Sequence, residues 1–332
     1  MIRRLTGGRT GKEAANGQGV VVGVGDDAAV VAPTPGMQTV LTCDSMVEIV
    51  DFLPWTMDDP SIGWKAMAQN ISDVAAMGAI PKYALVALSA PRDFPVERLE
   101  RVYEGLYACA ASYGVAVVGG DMSTAPERLT VTITAVGEVE AGRALLRSGA
   151  RPGDVAFVTG PLGLSAAGLD YLLRRRLPAE ETRPEDEPWA ALIAAHRRPR
   201  PAVAAGRALL GLATSLNDVS DGLASECREI AEASGVRIEL AASAIPVAPA
   251  LADYCARRGV DPLDFILAGG EDYELVGTAP ADRADEALDA LRRAGATPAI
   301  VGVVRSGGSG VELARPDGTV VPLSGRGYNH FA

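Results

Sequence analysis

Histidine is scarce in this sequence of 332 residues, which contains only two. Zinc sites and Ser-His-Asp triads both depend on imidazole, so His196 and His330 leave little room for hydrolysis of either kind. His196 stands among Arg197, Arg198 and Arg200, and this charged setting predicts that it lies on the surface. Catalysis by imidazole is therefore not the chemistry that the sequence favours.

Cysteine, basic runs and long apolar stretches are also lacking. The four cysteines are scattered without a CxxC pair, which disfavours a disulfide framework or zinc site and is typical of a reducing compartment. No long run of lysine and arginine offsets the formal net charge of −11, so a nucleic-acid partner is disfavoured. No segment reaches the roughly 18 uninterrupted apolar residues of a membrane span, and the first residues lack the apolar core of a secretory signal. We expect a cytoplasmic protein with no nucleic-acid or membrane partner.

What is present fits an ordinary globular protein with two domains. The chain is 48% hydrophobic and 22% charged, and its length suffices for two cores. A connector rich in glycine and proline at 148–153 predicts a boundary between residues 1–148 and 149–332. Strand-like and helical patterns alternate on both sides of it, which predicts an α/β (α+β) fold with a mixed sheet in the N-terminal domain and a second α/β domain.

Acidic residues adjoin apolar, strand-like segments at five places. Neighbouring carboxylates repel each other unless a cation or a hydrogen-bond donor lies between them, so acids at strand ends indicate a metal site. A polar turn is the alternative explanation for any one of them. Because the pattern recurs, we interpret the five places as one site assembled from loops. They are Gly25–Ala29, Thr42–Asp44, Gly119–Asp121, Asn217–Gly222 and Gly269–Asp272.

The helix predicted at 59–77 carries an acid in an apolar turn. Asp73 shares one face of this helix with Ile62, Ala66 and Gln69, because the spacings are four, three and four. A carboxylate in apolar surroundings needs a partner, which favours a functional role. A surface acid on the polar face is the alternative, and the pattern alone does not decide between them.

Two turns before predicted helices carry more specific predictions. Gly160–Gly163 precedes a helix and could hold a phosphate group at the helix N-terminus, although simple helix entry is the ordinary explanation. Asp221 is predicted to cap the helix that runs to Ser234.

Taken in order, these strings resemble the thiamine-monophosphate kinase family, within the superfamily of aminoimidazole-ribonucleotide synthetase and selenophosphate synthetase. The most specific strings are NISDVAAMGA at 70–79 and GGEDYEL at 269–275. The remaining strings are GDDAA at 25–29, TCD at 42–44, GGD at 119–121, GRALLRSGA at 142–150 and NDVSDG at 217–222. The resemblance covers nearly the whole chain.

The resemblance implies transfer of the ATP γ-phosphate to thiamine monophosphate, with several magnesium ions at the site. It also implies a homodimer that pairs through the N-terminal domain, and a C-terminal domain that completes a cleft. Two polyanions must approach each other in such a reaction, and magnesium ions shared by carboxylates and phosphate oxygens would reduce their repulsion. The acceptor is already an ionised phosphate, so the scarcity of histidine agrees with this chemistry.

The resemblance also assigns roles to individual residues. The catalytic residues would be Asp73, Asp218 and Arg147. The magnesium ligands would be Asp27, Thr42, Cys43, Asp44, Asp73, Asp121, Asp218 and Asp221. The nucleotide would bind at Tyr103, Gly120, Asp121, Arg147 and Ser220, and the acceptor at Asp51, Glu271 and Tyr328. Cys43 departs from the family, which usually has serine or threonine there, so that only its backbone carbonyl could replace the lost hydroxyl.

Other functions stay open at this point. A sibling enzyme of the superfamily is the nearest alternative, although the reactive N-terminal cysteine of selenophosphate synthetase and the C-terminal cysteine of the hydrogenase-maturation relative are not found here. A non-catalytic protein that binds nucleotide and magnesium is another. A protein that uses metal only for stability is the third, but it would not explain Arg147 and Tyr328.

Overall fold

A computed structural model describes Leu5 and residues 19–323. These residues form two compact units. The first contains the described residues up to Val74, together with Ala79–Gly142 and Arg175–Thr182. The second contains Ala75–Gly78, Arg143–Arg174 and the described residues from 183 onward. The main division between the units thus falls slightly before position 148. Two short segments are exceptions: Ala75–Gly78 belongs to the second unit, and Arg175–Thr182 belongs to the first.

The first unit is built on a mixed four-stranded sheet. Its strand order is β3-β6-β4-β5, in which only the β4–β5 pair is parallel. A separate antiparallel pair, β1 and β2, precedes it. The strands are β1 Val20–Val22, β2 Val30–Val31, β3 Met37–Val47, β4 Ile80–Ala90, β5 Ala116–Thr124 and β6 Thr130–Glu140; the long helices are α1 Asp59–Ala76 and α2 Val96–Ser112.

Helices α1 and α2 approach each other closely at two glycines. A Cβ atom added at Gly63 would overlap the carbonyl oxygen of Val102, and one added at Gly105 would overlap that of Pro60. The buried Asp59 side chain lies at the same end of α1, where Arg98 and Arg101 of α2 both donate hydrogen bonds to it. Backbone contact and a paired buried charge therefore fix α1, which carries Asp73.

The second unit is built on a seven-stranded sheet. Its strand order is β13-β12-β9-β11-β7-β10-β8, and only the β12–β9 pair is parallel. The strands are β7 Val155–Val158, β8 Ser215–Asp218, β9 Arg237–Ala241, β10 Leu275–Ala279, β11 Ala299–Arg305, β12 Gly310–Ala314 and β13 Val320–Pro322. The helices are α3 Leu164–Arg175, α4 Ala190–Arg197, α5 Val203–Ala208, α6 Leu223–Ser234, α7 Pro249–Arg258, α8 Pro262–Ala268 and α9 Ala284–Arg293.

The mixed sheets confirm the predicted fold class, while several elements of the second unit lie beyond the sequence prediction. Strand β8 and helices α4 and α8 contain only four, eight and seven residues, too few for a clear periodic pattern in the sequence. The predicted cap at Asp221 is wrong: Gly222, with φ of 103°, occupies the N-cap position of α6 and no side chain caps it.

Helices of membrane-spanning length and apolarity are not found among the residues that the structure describes.

The close approach of α1 and α2 predicts that Gly105→Ala destabilises the protein. The added methyl group would meet the Pro60 carbonyl oxygen, so the helices must separate, at a cost of about 1–3 kcal/mol in the free energy of unfolding. Urea unfolding measures this change. Glu104→Ala, at an exposed position on the same helix, is the matched control and should change little. Equal stability of the two variants would contradict the packing described.

Candidate functional site

Strand β3 and helix α1 bring three predicted magnesium ligands together in the first unit. Thr42 and Asp44 lie on β3, and Asp73 lies near the end of α1. The Thr42 hydroxyl donates a hydrogen bond to Oδ2 of Asp73. The backbone N–H of Asp44 donates to Oδ1 of buried Asn70 at 3.0 Å, and the Asn70 amide nitrogen donates to the carbonyl oxygen of Ala66. These hydrogen bonds hold the strand against the helix, with the carboxylates of Asp44 and Asp73 close together.

The two carboxylates repel each other. Burial, the charge of Asp73 and a hydrogen bond with Asp73 raise the pKa of Asp44 from 3.8 to about 6. Because this pKa is higher in the folded protein than in an unfolded chain, the group contributes stability at low pH that is lost as the pH rises through about 6. Above this pH the carboxyl group of Asp44 is ionised, and its negative charge beside Asp73 attracts a cation.

Cys43 lies between Thr42 and Asp44 in the sequence, but its side chain does not lie beside theirs in the structure. Side chains alternate along a strand, so the Cys43 side chain points to the opposite face of β3 from those of Thr42 and Asp44. There it is exposed, and its sulfur accepts a hydrogen bond from the Thr134 hydroxyl at 3.4 Å. The structure therefore does not bring the predicted Cys43 thiol to the carboxylate pair; its backbone carbonyl is the group left for that role.

A cavity of about 690 Å³ in the first unit brings four other predicted residues together. Asp27, Tyr103, Gly120 and Asp121 all line it, and its volume lies in the usual range for a bound small molecule. The Tyr103 ring is largely buried, and burial followed by the neighbouring Tyr107 raises the pKa of its hydroxyl to about 12. Tyr103 thus presents a neutral aromatic wall, whereas Asp27 and Asp121 are exposed carboxylates at the same cavity.

Gly120 must be glycine for this wall of the cavity to exist. Its φ is 154°, and a Cβ atom there would overlap the carbonyl oxygen of Val86 on the neighbouring strand. The Gly119–Asp121 string therefore marks a place where β5 lies unusually close to β4.

The donor atoms of the first unit suit magnesium, although they do not form a complete cage. Across Leu5 and residues 19–323, no three histidine, cysteine, aspartate or glutamate side chains form a group that could hold a metal ion alone. Magnesium usually takes only one or two carboxylates and completes its shell with water and substrate phosphates. The neighbouring carboxylate oxygens of Asp44 and Asp73 would fit such a partial site.

In the second unit, Asn217 lies at the end of β8 and joins a positive to a negative group. Its Oδ1 accepts a hydrogen bond from Nε of Arg147 at 3.0 Å. Its Nδ2 donates to Glu226 at 2.6 Å and to Glu229 at 2.9 Å. Arg147 also pairs with Glu229 at 3.1 Å and is otherwise exposed. The adjacent Asp218, by contrast, is buried.

Buried Glu226 supports the loop that carries Asp218, Ser220 and Asp221. Its Oε1 accepts hydrogen bonds from the Asp221 backbone N–H at 2.9 Å and from the Ser220 hydroxyl at 3.3 Å. Burial is the largest cause that raises its pKa, followed by the charge of Glu229. The resemblance does not assign this residue. Its signal in the sequence is an acid among the apolar positions of an amphipathic helix.

The side chain of Asp272 occupies the N-terminus of α3, directly after the glycine turn. Its two carboxylate oxygens accept hydrogen bonds from the backbone N–H groups of Gly163 at 2.6 Å and Ser165 at 3.1 Å. These are the donors that a phosphate group would have used, so the phosphate interpretation of Gly160–Gly163 is wrong for this structure. Helix entry, with the carboxylate of Asp272 as its anion, is the correct explanation.

The same loop holds Glu271 in an unusual conformation. Glu271 and Tyr273 have φ values of 66° and 54°, a left-handed region that non-glycine residues rarely adopt. Backbone hydrogen bonds from Glu271 to Ser220 and from Tyr273 to Val219 hold them there. A Cβ atom on the preceding Gly270 would overlap the Ser220 carbonyl oxygen. The GGEDYEL string therefore packs directly on the Asn217–Gly222 loop.

His196 is buried, contrary to the surface position predicted from its arginine neighbours. Only 1% of its surface is exposed, and Nδ1 lies 3.5 Å from Oε2 of Glu271 and 3.4 Å from the Ser165 hydroxyl. Helix α4 directs the imidazole into the interior of the unit. The neighbouring arginines were the only feature of the local sequence on which the surface prediction rested. Burial of this kind depends on tertiary packing and is not visible in the local sequence.

The remaining acceptor residues are placed only in part. Asp51 accepts a hydrogen bond from the backbone N–H of Val47 at 2.7 Å and so closes the turn that follows β3. This contact gives Asp51 a structural function whatever it binds. Tyr328 lies outside the described residues, and its role stays a prediction.

Comparison with known proteins places both units in one group. The family model for the N-terminal domain of AIR synthase related protein matches residues 25–139, and the model for the C-terminal domain matches 151–313. The thiamine-monophosphate kinase of Bacillus subtilis is 40% identical over 319 residues, covering 94% of each chain.

Solved structures agree with these matches. The crystal structure of thiamine-monophosphate kinase from Stenotrophomonas maltophilia K279a is 34% identical, with a TM-score of 0.82 over 96% of this chain and 95% of that one. A structure of AaThiL complexed with AMPPCP and TMP is 35% identical, with a TM-score of 0.79 over 90% and 89% of the two chains. This chain therefore belongs to the thiamine-monophosphate kinase family.

Proposed function

We propose that this protein transfers the γ-phosphate of ATP to thiamine monophosphate, giving thiamine diphosphate and ADP. The observation that carries the proposal is the first-unit cavity, which gathers Asp27, Tyr103, Gly120 and Asp121. The relative AaThiL, solved with the ATP analogue AMPPCP and with TMP, supports the choice of both substrates.

In the proposed reaction, an oxygen of the acceptor phosphate attacks the γ-phosphorus of ATP. A new P–O bond forms to the acceptor while the bond to the β–γ bridging oxygen breaks, and ADP leaves with that oxygen. The acceptor oxygen is already ionised at neutral pH, so no general base is required and positioning carries most of the catalysis. Magnesium, when bound, would supply positive charge that offsets the repulsion between the phosphates.

The carboxylates of the first unit are the groups proposed to hold magnesium. Asp44 and Asp73 form the close pair, and Thr42 orients Asp73 through its hydroxyl. Asp27 and Asp121 stand at the cavity. In the second unit Asp218 and Asp221 are proposed for the same task, on the loop that Glu226 supports.

The remaining residues are proposed to bind the substrates. Tyr103 and Gly120 form walls for the nucleotide, while Arg147 and Ser220 contact its phosphates. Asp51, Glu271 and Tyr328 are proposed for the cationic acceptor, which needs acids and an aromatic face. The scattered cysteines support a cytoplasmic location for this activity.

A coupled assay for ADP tests the function directly. The chain should release ADP from ATP and magnesium when thiamine monophosphate is present, and very little when it is omitted. ADP release that does not depend on thiamine monophosphate would favour another member of the superfamily. No release and no AMPPCP binding would favour a structural role.

Asp73→Asn should keep the fold but lose most of its turnover. Asparagine still offers Oδ1 to the Thr42 hydroxyl, so the local hydrogen bond survives, whereas the negative charge beside Asp44 is lost. The ADP assay at saturating magnesium measures the effect. Asp93→Asn, at an exposed position in the same unit, is the control and should match the parent. A near-parental rate for Asp73→Asn would refute the metal role of this residue.

Cys43→Ala should be nearly silent in the same assay. Its thiol contacts Thr134 of β6, on the face of the sheet opposite the Thr42 and Asp44 side chains, so removing the sulfur leaves the Asp44 and Asp73 carboxylates untouched. Cys43→Ser should also depend on magnesium as the parent does. A large shift in the magnesium dependence of the alanine variant would show that the thiol itself contributes.

We also infer that the protein is a homodimer that pairs through its first unit. Leu41, on the face of β3 opposite Asp44, is 69% exposed, and Leu85 on β4, which also lines the cavity described above, is 40% exposed. Apolar side chains exposed on one sheet favour contact with a second copy. Light scattering should report a dimer for the parent and a shift toward monomer for Leu41→Lys. A monomeric parent at micromolar concentration would refute this.

A further inference from the structure

Glu226 is a deeply buried acid of the second unit to which the proposed reaction assigns no role. It is 2% exposed, yet its carboxylate contacts the Asn217 amide of β8 and, in the loop that follows, the Ser220 hydroxyl and the Asp221 backbone N–H. All three groups donate to it. A buried acceptor with several donors aimed at it sets the positions of those donors, because leaving any of them unsatisfied is costly.

The hydrogen bonds around Asn217 run in one direction only. Arg147 can only donate, so it requires the oxygen of the Asn217 amide on its side. The amide nitrogen then faces Glu226 and Glu229, which accept from it. Turning the amide over would place its NH2 group against the guanidinium and its oxygen against two carboxylates. The carboxylate of Glu226, together with that of Glu229, thus favours the one amide orientation that holds Arg147.

We propose that Glu226 is a positioning residue that fixes the orientation of the Asn217 amide and, through it, the guanidinium of Arg147. The inference rests on the proposed function in one respect: Arg147 is taken to contact the nucleotide phosphates. Glu226 itself touches no substrate. Its effect passes through Asn217 to a side chain that is half exposed and also pairs with Glu229.

Glu226→Gln tests this direction of hydrogen bonding while keeping the size of the side chain. Its oxygen can still accept from Asp221 and Ser220, but its amide nitrogen must then face the Asn217 nitrogen, and two donors repel. If Asn217 turns over to relieve this contact, Arg147 loses the acceptor of its Nε–H group and keeps only its ion pair with Glu229. Glu232→Gln, at an exposed position on the same helix α6, is the matched control.

Two measurements on the full chain report on the position and the role of the Arg147 guanidinium. The first is the NMR signal of its Nε–H group, assigned by comparison with Arg147→Ala. In Glu226→Gln this signal should shift and exchange faster with water, and in Glu232→Gln it should not. The second is calorimetric affinity for AMPPCP, which should fall about tenfold in Glu226→Gln, as expected when one charged hydrogen bond is weakened.

The double variant separates positioning from a purely structural role. If Glu226 acts through Arg147, then Glu226→Gln adds no further loss of AMPPCP affinity in the Arg147→Ala background. An unchanged Nε–H signal in Glu226→Gln, or losses that add in the double variant, would overturn the proposal. A shifted signal with unchanged affinity would uphold the positioning role and refute only the nucleotide role of Arg147.

A second variant covers the case in which Glu226→Gln does not fold. Asn217→Ala removes the link while leaving Glu226 bonded to Asp221 and Ser220. The Arg147 signal should shift in the same way. A signal identical to that of the parent would overturn the proposal equally well.

Discussion

The repulsion between carboxylates held close together is the constraint on which the candidate site depends. Asp44 and Asp73 come from a strand and a helix that are distant in sequence, and the fold forces them together despite the cost that the raised pKa of Asp44 records. Hydrogen bonds through Asn70 and close helix packing at Gly63 and Gly105 hold that geometry. A protein gains nothing from such a pair unless a cation or a proton occupies the space beside it.

In the second unit, hydrogen bonds from the backbone stabilise acidic side chains that are shielded from water. Glu226 and Asp272 are buried acids, and each receives backbone N–H donors from a loop or helix end. Asp272 anchors the start of α3, and Glu226 anchors the loop before α6. Glu271 and Tyr273, directly before and after Asp272, adopt left-handed conformations, so the loop is held by its surroundings against its own backbone preference.

Much of this arrangement was visible in the sequence, because acids beside strand ends and an acid in an apolar helical turn are local patterns. Strand alternation alone separates Cys43 from Thr42 and Asp44, so its placement was also predictable in principle. The burial of His196 and the occupation of the α3 N-terminus by Asp272 were not, because both depend on residues far away in the chain. Local pattern identified the acids, and tertiary contacts decided which of them lie close together and which accept hydrogen bonds from a loop or a helix end.

Thermal unfolding of the intact protein with and without magnesium at neutral pH tests the central claim most directly. If Asp44 and Asp73 form a cation site, magnesium should raise the Tm of the parent well beyond the effect of sodium chloride at the same ionic strength. The increase should disappear in a variant that carries both Asp44→Asn and Asp73→Asn. An equal response of the parent to both salts, or an undiminished increase in the double variant, would contradict the account.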